Sequence, residues 1–195
     1  MNSDDIFFTA DHHFGHGNII KLANRPFGSL EEMNESLVKH HNATVPEDSV
    51  VYFIGDFAYR VDTDPSLWFH RLNGRKKIFI PGNHDNEAVM NLPWDEIHRD
   101  MFIGHAFTPQ NRVSLHLYHY PLIEWRDFYK GAYHLHGHTH NTINVSWGRN
   151  MDVGVDAQEF CPVSLTRVVE RLKVYDNKAT RKFRFGHLAD GRPDR

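Results

Sequence analysis

Cysteine is nearly absent: Cys161 stands alone among 195 residues, so no disulfide can close within the chain, and no oxidising compartment is indicated. Long apolar runs are missing too, with none approaching the roughly 20 residues that span a bilayer. The acidic start, Met1-Asn2-Ser3-Asp4-Asp5, runs directly into an apolar segment, which is not the order of a secretory signal. There is no excess of positive charge. The net charge is -3 with histidines neutral, so no global field draws the chain to nucleic acid or to a membrane. Internal repeats, linkers and low-complexity tracts are lacking as well. These absences leave a soluble, cytoplasmic chain forming one domain over residues 1–195. A hydrophobic content of 40% and a charged content of 24% are ordinary for such a domain and enough for a core.

Charge is spread unevenly. Residues 1–172 carry 15 Lys/Arg against 22 Asp/Glu, whereas residues 173–195 carry 7 against 3, a mildly basic C-terminal strand or tail on an acidic body. The compositional outlier is histidine, at 16 residues, which asks for an explanation in metals or protons.

The explanation lies in where the histidines fall. Ile6-Phe7-Phe8-Thr9-Ala10, Ser49 to Ile54, and Lys76 to Ile80 read as buried strands. Each is followed by short oxygen and imidazole donors: Asp11-His12-His13, Gly55-Asp56, and Gly82-Asn83-His84-Asp85. Between the strands lie two expected helices. One runs from Ser29, which has capping-box spacing to Glu32, to about Thr44, and the other from Asp64-Pro65 through Leu72. Strand, helix, strand, helix, strand is the pattern of parallel α/β units, whose ligand sites lie beyond the carboxyl ends of the strands. In the second half, Arg112 to His119 alternates as a half-buried strand should and delivers His119. Ala132–Leu135, Thr142–Trp147 and Asn150–Val155 read as further strands, with Gly137-His138-Thr139-His140 between the first two. A helix over 162–173 and an edge strand over 173–185 complete the reading. The fold class expected is α/β, two packed sheets flanked by helices in a four-layered domain. Seven donors meeting at one point would hold two divalent metals side by side, an arrangement suited to in-line attack on phosphorus.

Asp-x-His, Gly-Asp, Gly-Asn-His-Asp, a lone His and Gly-His-x-His, in that order over residues 11–140, resemble the calcineurin-like metallophosphoesterase superfamily. The run from Asp11 to Phe27 resembles its small single-domain bacterial and phage phosphoesterases. That resemblance implies a four-layer α/β/β/α sandwich with mixed sheets and a binuclear centre. One metal would take Asp11, His13, Asp56 and His140, and the other Asp56, Asn83, His119 and His138, with Asp56 bridging. His84 would be the catalytic residue that binds no metal and faces the leaving oxygen, as general acid or charge stabiliser. The nucleophile would be a metal-bound hydroxide. The mixed imidazole and oxygen donors suit Mn first, with Fe, Zn, Co or Ni also suited, better than Ca or Mg. Where protein phosphatases of the superfamily carry Gly-Asp-x-x-Asp-Arg, this chain has Gly55-Asp56-Phe57-Ala58-Tyr59-Arg60, so the Asp that pairs with their catalytic histidine is absent. Arg60 aligns with their phosphate-clamping arginine. His16 and Asn18 follow the first ligands closely enough to reach a bound phosphate.

The expected function is hydrolysis of phosphoesters, with a small phosphorylated, nucleotide-type diester as substrate. A phosphomonoesterase using the same site is the alternative within this chemistry. A metal-binding scaffold for a protein partner is the alternative outside it, and a structural zinc site fails for want of cysteine. A nuclease is not indicated, because no basic stripe accompanies the motifs. His40, His41, His70, His98, His105 and His187 are read as surface residues, and His12 as pointing away from the ligands. His116 is expected on the sheet face opposite His119, and His136 as a residue that could support a ligand. Trp125, Phe128 and Tyr129 read as a loop packing its own aromatics, the alternative being a nucleobase pocket; Trp94 and Trp147 read as core.

Overall fold

Three apolar segments of the N-terminal half become three neighbouring parallel strands, β1 (Ile6–Thr9), β2 (Val50–Phe53) and β3 (Lys76–Phe79). The computed structural model describes residues 3–59, 64–107, 112–143 and 148–177. Ile6 pairs with Val50 and Val50 with Lys76 across this triplet. A side-chain period of two sends Phe7, Val51, Phe53 and Phe79 to one face. Phe8, Ala10, Ile54 and Ile80 go to the other. Both faces are covered, which is why these strands read as continuous apolar runs rather than alternations.

The first face is packed by four helices: α1 (Ile19–Leu22), α2 (Leu30–Thr44), α3 (Ser66–Phe69) and α4 (Glu87–Met90). In α2 the helical spacing buries Met33, Leu37 and Val38, each worth about 1.5–3 kcal/mol relative to exposure. Its N-terminus is closed as the sequence indicates, with Ser29 Oγ accepting from Glu32 N at 3.1 Å. The reciprocal bond shifts by one residue, since Glu32 Oε2 accepts from Gly28 N (2.8 Å) rather than from Ser29.

The triplet is extended by β4 (Glu96–Ile97) beside β3, and by β9 (Val163–Ser164) antiparallel to β1, giving the order β4-β3-β2-β1-β9. A second mixed sheet has the order β5-β6-β7-β8, from β5 (Met101–Phe107), β6 (Arg112–Leu117), β7 (Tyr133–His136) and β8 (Asn150–Asp152). β5 is antiparallel to β6, while β6, β7 and β8 are parallel. Val113, Leu115 and Leu117 share one buried cluster with Phe8, Ile54 and Ile80 of the first sheet and with α5 (Leu165–Leu172). The architecture is thus α/β, with two mixed sheets and helices. Among the described residues no helix is long and apolar enough to cross a membrane.

Several segments depart from the sequence reading. The helix expected over 64–72 is a single turn, Ser66–Phe69, because Arg71 and Asn73 turn aside to bind α2: Arg71 pairs with Glu35 at 2.6 Å and Asn73 Nδ2 donates to Val45 O at 2.9 Å. The expected strand at 142–147 begins as a turn, with Thr142 N donating to Thr139 O (2.8 Å), and residues 144–147, Trp147 among them, lie outside the described residues. The start of the expected 162–173 helix is strand β9, and 173–177 forms no strand, opening with a turn at 173–174, with 178–185 outside the described residues. α1, α4, β4 and β5 carry no signal in the sequence reading, the first three being too short for periodicity to show. His105, read as a loop residue, lies within β5, and His187 lies outside the described residues. Trp94 packs flat on Phe79 (4.2 Å, 5°) and belongs with the core.

His41 is the clearest correction among the histidines read as surface. It is buried on α2, stacks on Phe53 at 5.8 Å, and its Nε2–H donates to Asn73 O (2.9 Å). Burial, partly opposed by that bond, holds its pKa down at about 4 against an ordinary 6.5. Between those values the unfolded chain binds a proton that the folded chain refuses. Its contribution is therefore fully present above about pH 6.5 and lost as pH falls towards 4. The His41→Phe variant loses about 1 kcal/mol at neutral pH with the Asn73 bond. It should then gain on the wild type by on the order of 2 kcal/mol by about pH 4.5, read from paired urea unfolding curves. A stability gap that stays constant over that range contradicts this account.

Candidate metal centre

All the parallel strands release their chains at one end of the molecule, and the donors collect there. The loops after β1 and β2 run side by side: Asp11 N donates to Gly55 O (3.0 Å), His13 N to Asp56 O (2.9 Å), and Phe14 N to Phe57 O (3.0 Å). Asn83 and His84 arrive from β3, His119 from β6, and His138 and His140 from β7. Two groups of donors result, Asp11 with His13 and His140, and Asp56 with His119 and His138, the ligand atoms of each lying within 4.8 Å of one another. Asp56 Oδ2 stands between the groups, 3.5 Å from His13 Nε2 and 3.4 Å from His119 Nε2. Asn83 Oδ1 lies 3.2 Å from His119 Nε2. The structure brings together all seven residues read from the sequence as ligands. His84 joins them through its backbone, its N–H donating to Asp56 Oδ1 at 2.9 Å, and its ring sits 5.3 Å from that of His13.

The backbone here is strained. Asp11 (φ 58°), His13 (52°), Asp56 (54°), His138 (71°) and His140 (46°) all adopt left-handed conformations that side chains with a Cβ disfavour. Each costs on the order of 1–3 kcal/mol and persists only where neighbours over-determine it. The Asp85 carboxylate is one such neighbour. Its Oδ2 accepts from Asp56 N and Gly82 N, both at 2.7 Å, and its Oδ1 from Phe57 N at 2.8 Å. Glycines serve by absence of bulk as much as by φ. Gly55 takes a positive φ of 85°, but Gly82 and Gly137 do not; a Cβ on either would collide with Asp56 or Asp11 respectively.

Electrostatics set the two aspartates apart. Complete burial pushes the Asp11 carboxyl up to about 7, helped by Asp152 and Asp56 and opposed by His119 and His140. Burial also favours neutral Asp56, yet the hydrogen bond and charge of His119, with His13, outweigh it and pull Asp56 down to about 2. His119 moves the opposite way, to about 9, burial being overcome by Asp56 and then Asp11. Its Nδ1 meets Ile54 O at 2.9 Å, which fixes Nε2 as the nitrogen facing Asp56. Burial lowers His13 well below its ordinary value, and neither of its ring nitrogens has a hydrogen-bond partner among the described residues.

Three residues that matter here were not read from the sequence. Arg25 is buried and makes a bidentate pair with Asp156 (2.8 Å twice). The same guanidinium donates to Asp11 O at 2.6 Å and His12 O at 2.9 Å, bracing the strained Asp11 and the residue after it. Asp156 Oδ2 in turn lies 2.7 Å from His140 Nδ1, leaving His140 Nε2 as its free ligand nitrogen. Asp152 accepts from Thr139 Oγ1 (2.5 Å) and Gly154 N (2.7 Å), which shapes the His138–His140 turn. A signal existed. Gly154 interrupts the strand-like stretch after Asn150, and a Cβ there would strike Asp11, the kind of close approach a strand glycine marks.

The remaining expectations divide. Asn18 sits exposed at the start of α1 with no capping bond from its side chain, and among the described residues no hydrogen bond joins that side chain to the cluster. His16 is buried with its ring stacked 3.7 Å over Tyr59. Arg60 lies outside the described residues. His12 points away into the core, stacked on Phe14 at 5.3 Å, as read. The His136 ring meets Gly137 O (2.9 Å) rather than a ligand, and β7 ends at this residue. His116 lies 3.5 Å from Asp100, apart from the site. Trp125 and Phe128 are buried in their own cluster with Ala132, which removes them as a nucleobase pocket.

Removing Asp156 strands the buried Arg25 charge. Asp156→Ala should lower unfolding free energy by about 3–5 kcal/mol in urea titration. A loss under about 1 kcal/mol, the range of exposed pairs, sinks the assignment of this triad as a brace.

No protein-family model matches the chain. The uncharacterized protein MJ1445 of Methanocaldococcus jannaschii is 30% identical over 184 residues, spanning 89% of this chain and 94% of that one. The Gene 66 protein of Mycobacterium phage L5 is 27% identical, over 88% of this chain and 93% of the phage protein. The crystal structure of a protein of unknown function, AQ665 from Aquifex aeolicus, superimposes with a TM-score of 0.62 at 23% identity, over 86% of this chain and 98% of that one, which is a likeness of fold. At 30% identity over 89% of its length, the chain belongs to one family with the uncharacterized protein MJ1445 of Methanocaldococcus jannaschii.

Proposed function

We propose that this protein is a metal-dependent phosphoester hydrolase of the calcineurin-like metallophosphoesterase type. Its two sheets and flanking helices are then that superfamily's four-layer α/β/β/α sandwich. The observation that carries the proposal is Asp56 Oδ2, standing 3.5 Å from His13 Nε2 and 3.4 Å from His119 Nε2, between two three-residue donor groups. One carboxylate oxygen shared in this way suits a bridge between two cations.

The donors fit such a pair. His13 is buried with neither ring nitrogen hydrogen-bonded among the described residues, a costly state for a polar ring unless one nitrogen serves as a ligand. Asp11, His13, Asp56 and His140 would hold one divalent ion, and Asp56, Asn83, His119 and His138 the other. Mixed nitrogen and oxygen donors suit Mn, Fe, Zn, Co or Ni better than Ca or Mg, and Mn is the ion we assign. When bound, the two cations supply Lewis acidity towards phosphate oxygens and make water a stronger acid.

The chain's own groups do the rest. Asn83 gives a neutral oxygen and adds no negative charge against a phosphate. His84 is exposed beside the cluster, where its ring can give a proton to the leaving oxygen. Asn83, His84 and His138 are all exposed, so the site is open on that side. An open site admits the second arm of a diester, and a nucleotide-type phosphodiester is the substrate class we assign ahead of monoesters.

With added Mn, bis-p-nitrophenyl phosphate should be hydrolysed faster than p-nitrophenyl phosphate, and EDTA should abolish both activities. His84→Ala should lower kcat by about 10²–10⁴ with metal content unchanged. Asp56→Asn should lose metal, by elemental analysis, together with activity. Hydrolysis of neither ester by metal-loaded protein refutes the enzyme and leaves the scaffold reading.

A further inference from the structure

A proton donor works only if its ring is held at the leaving atom, and His84 has little to hold it. Its backbone N–H is fixed by Asp56, but its imidazole makes no side-chain hydrogen bond among the described residues. What surrounds the imidazole is other rings. The His84 ring lies 5.1 Å from that of Tyr59, at 65°, and 5.3 Å from that of His13, at 61°. Tyr59 lies flat on His16 at 3.7 Å, and His16 returns to His13 at 5.4 Å. Four rings therefore close a circuit, His13 to His16 to Tyr59 to His84 and back.

Two corners of that circuit are anchored. His13 and His16 are buried, and His13 is held through its backbone to Asp56 O. Tyr59 N donates to Phe14 O at 3.1 Å, so this residue too is fixed at its backbone. His84, exposed, is the corner with freedom to swing, and the ring of Tyr59 stands beside it. Edge-to-face contacts of this kind are worth about 0.5–1.5 kcal/mol each, enough to populate one rotamer by roughly tenfold over its rivals.

Resting on the phosphoesterase reading, we infer that Tyr59, backed by His16, is a positioning residue that holds the His84 ring towards the leaving group. In the step it serves, the P–O bond to the leaving group breaks and its electron pair stays on that oxygen, which takes the His84 ring proton. A water oxygen forms the new P–O bond and its proton passes to solvent. Tyr59 occupies the chain position at which the protein phosphatases' histidine-pairing Asp would stand, and packing replaces pairing. His16 is then a support under Tyr59 rather than a phosphate contact.

The test compares methyl phenyl phosphate, with its more basic leaving group, against methyl p-nitrophenyl phosphate, with Mn-loaded full-length protein. Tyr59→Leu should lower kcat on the phenyl ester at least about tenfold at unchanged KM, within what a placed acid supplies, and lower it much less on the nitrophenyl ester. Tyr59→Phe, which keeps the ring, should recover most of the loss. In a His84→Asn background, Tyr59→Leu should have almost no further effect. His16→Leu reports on the same circuit and should show the same leaving-group pattern, also if Tyr59→Leu fails to fold. A loss that persists in the His84→Asn background, falls on KM, or is equal for both esters overturns the inference. A wild type that hydrolyses neither ester removes the phosphoesterase reading itself.

Discussion

Asp85 is not one of the seven donors, yet the geometry of their cluster depends on it. Its buried carboxylate gathers three backbone N–H groups, two from the turn after β2 and one from the turn after β3. That joins the loop carrying Asp56 to the loop carrying Asn83 and His84, and holds Asp56 in a left-handed backbone it would not keep alone. Burial raises the Asp85 carboxyl to about 6 even against those N–H donors, so the joint is costly as well as tight. Strain fixed in this way aims the Asp56 side chain between two groups of imidazoles.

The Arg25–Asp156 pair performs the equivalent task for the loop after β1. A single guanidinium satisfies the carbonyls of Asp11 and His12 and the carboxylate of Asp156, which then orients His140. A buried ion pair of this kind is weak evidence for stability, because desolvation consumes most of its attraction. Its value lies in position. Asp56 and Asp11 are thus braced at their backbones by Asp85 and Arg25, and the buried centre concentrates charge at the cost of stability. His41 belongs elsewhere: a neutral histidine in the core under α2, with no part in the centre.

How legible this was depended on the range of the interaction. β1, β2, β3 and α2 could be read because apolar periodicity and the Ser29 cap act within a few residues. The seven donors could be read because each follows an apolar run that ends in a motif. Arg25, Asp152 and Asp156 could not, since nothing near Arg25 announces a partner 131 residues away. His41 was misjudged for a related reason: on a helix its position looks polar, and only Asn73 O and Phe53 supply it with a buried place. His16 reads as a phosphate contact by its nearness to His13, but packing turned its ring onto Tyr59.

The chain by itself determined which atoms are available and at which strand ends they emerge, because hydrophobic alternation and turn chemistry are local. Tertiary structure decided that these ends meet, which oxygen of Asp56 lies between the imidazoles, and which ring nitrogens are left facing inward. Those choices rest on hydrogen bonds between residues far apart in sequence, formed only once two sheets have closed over a shared core.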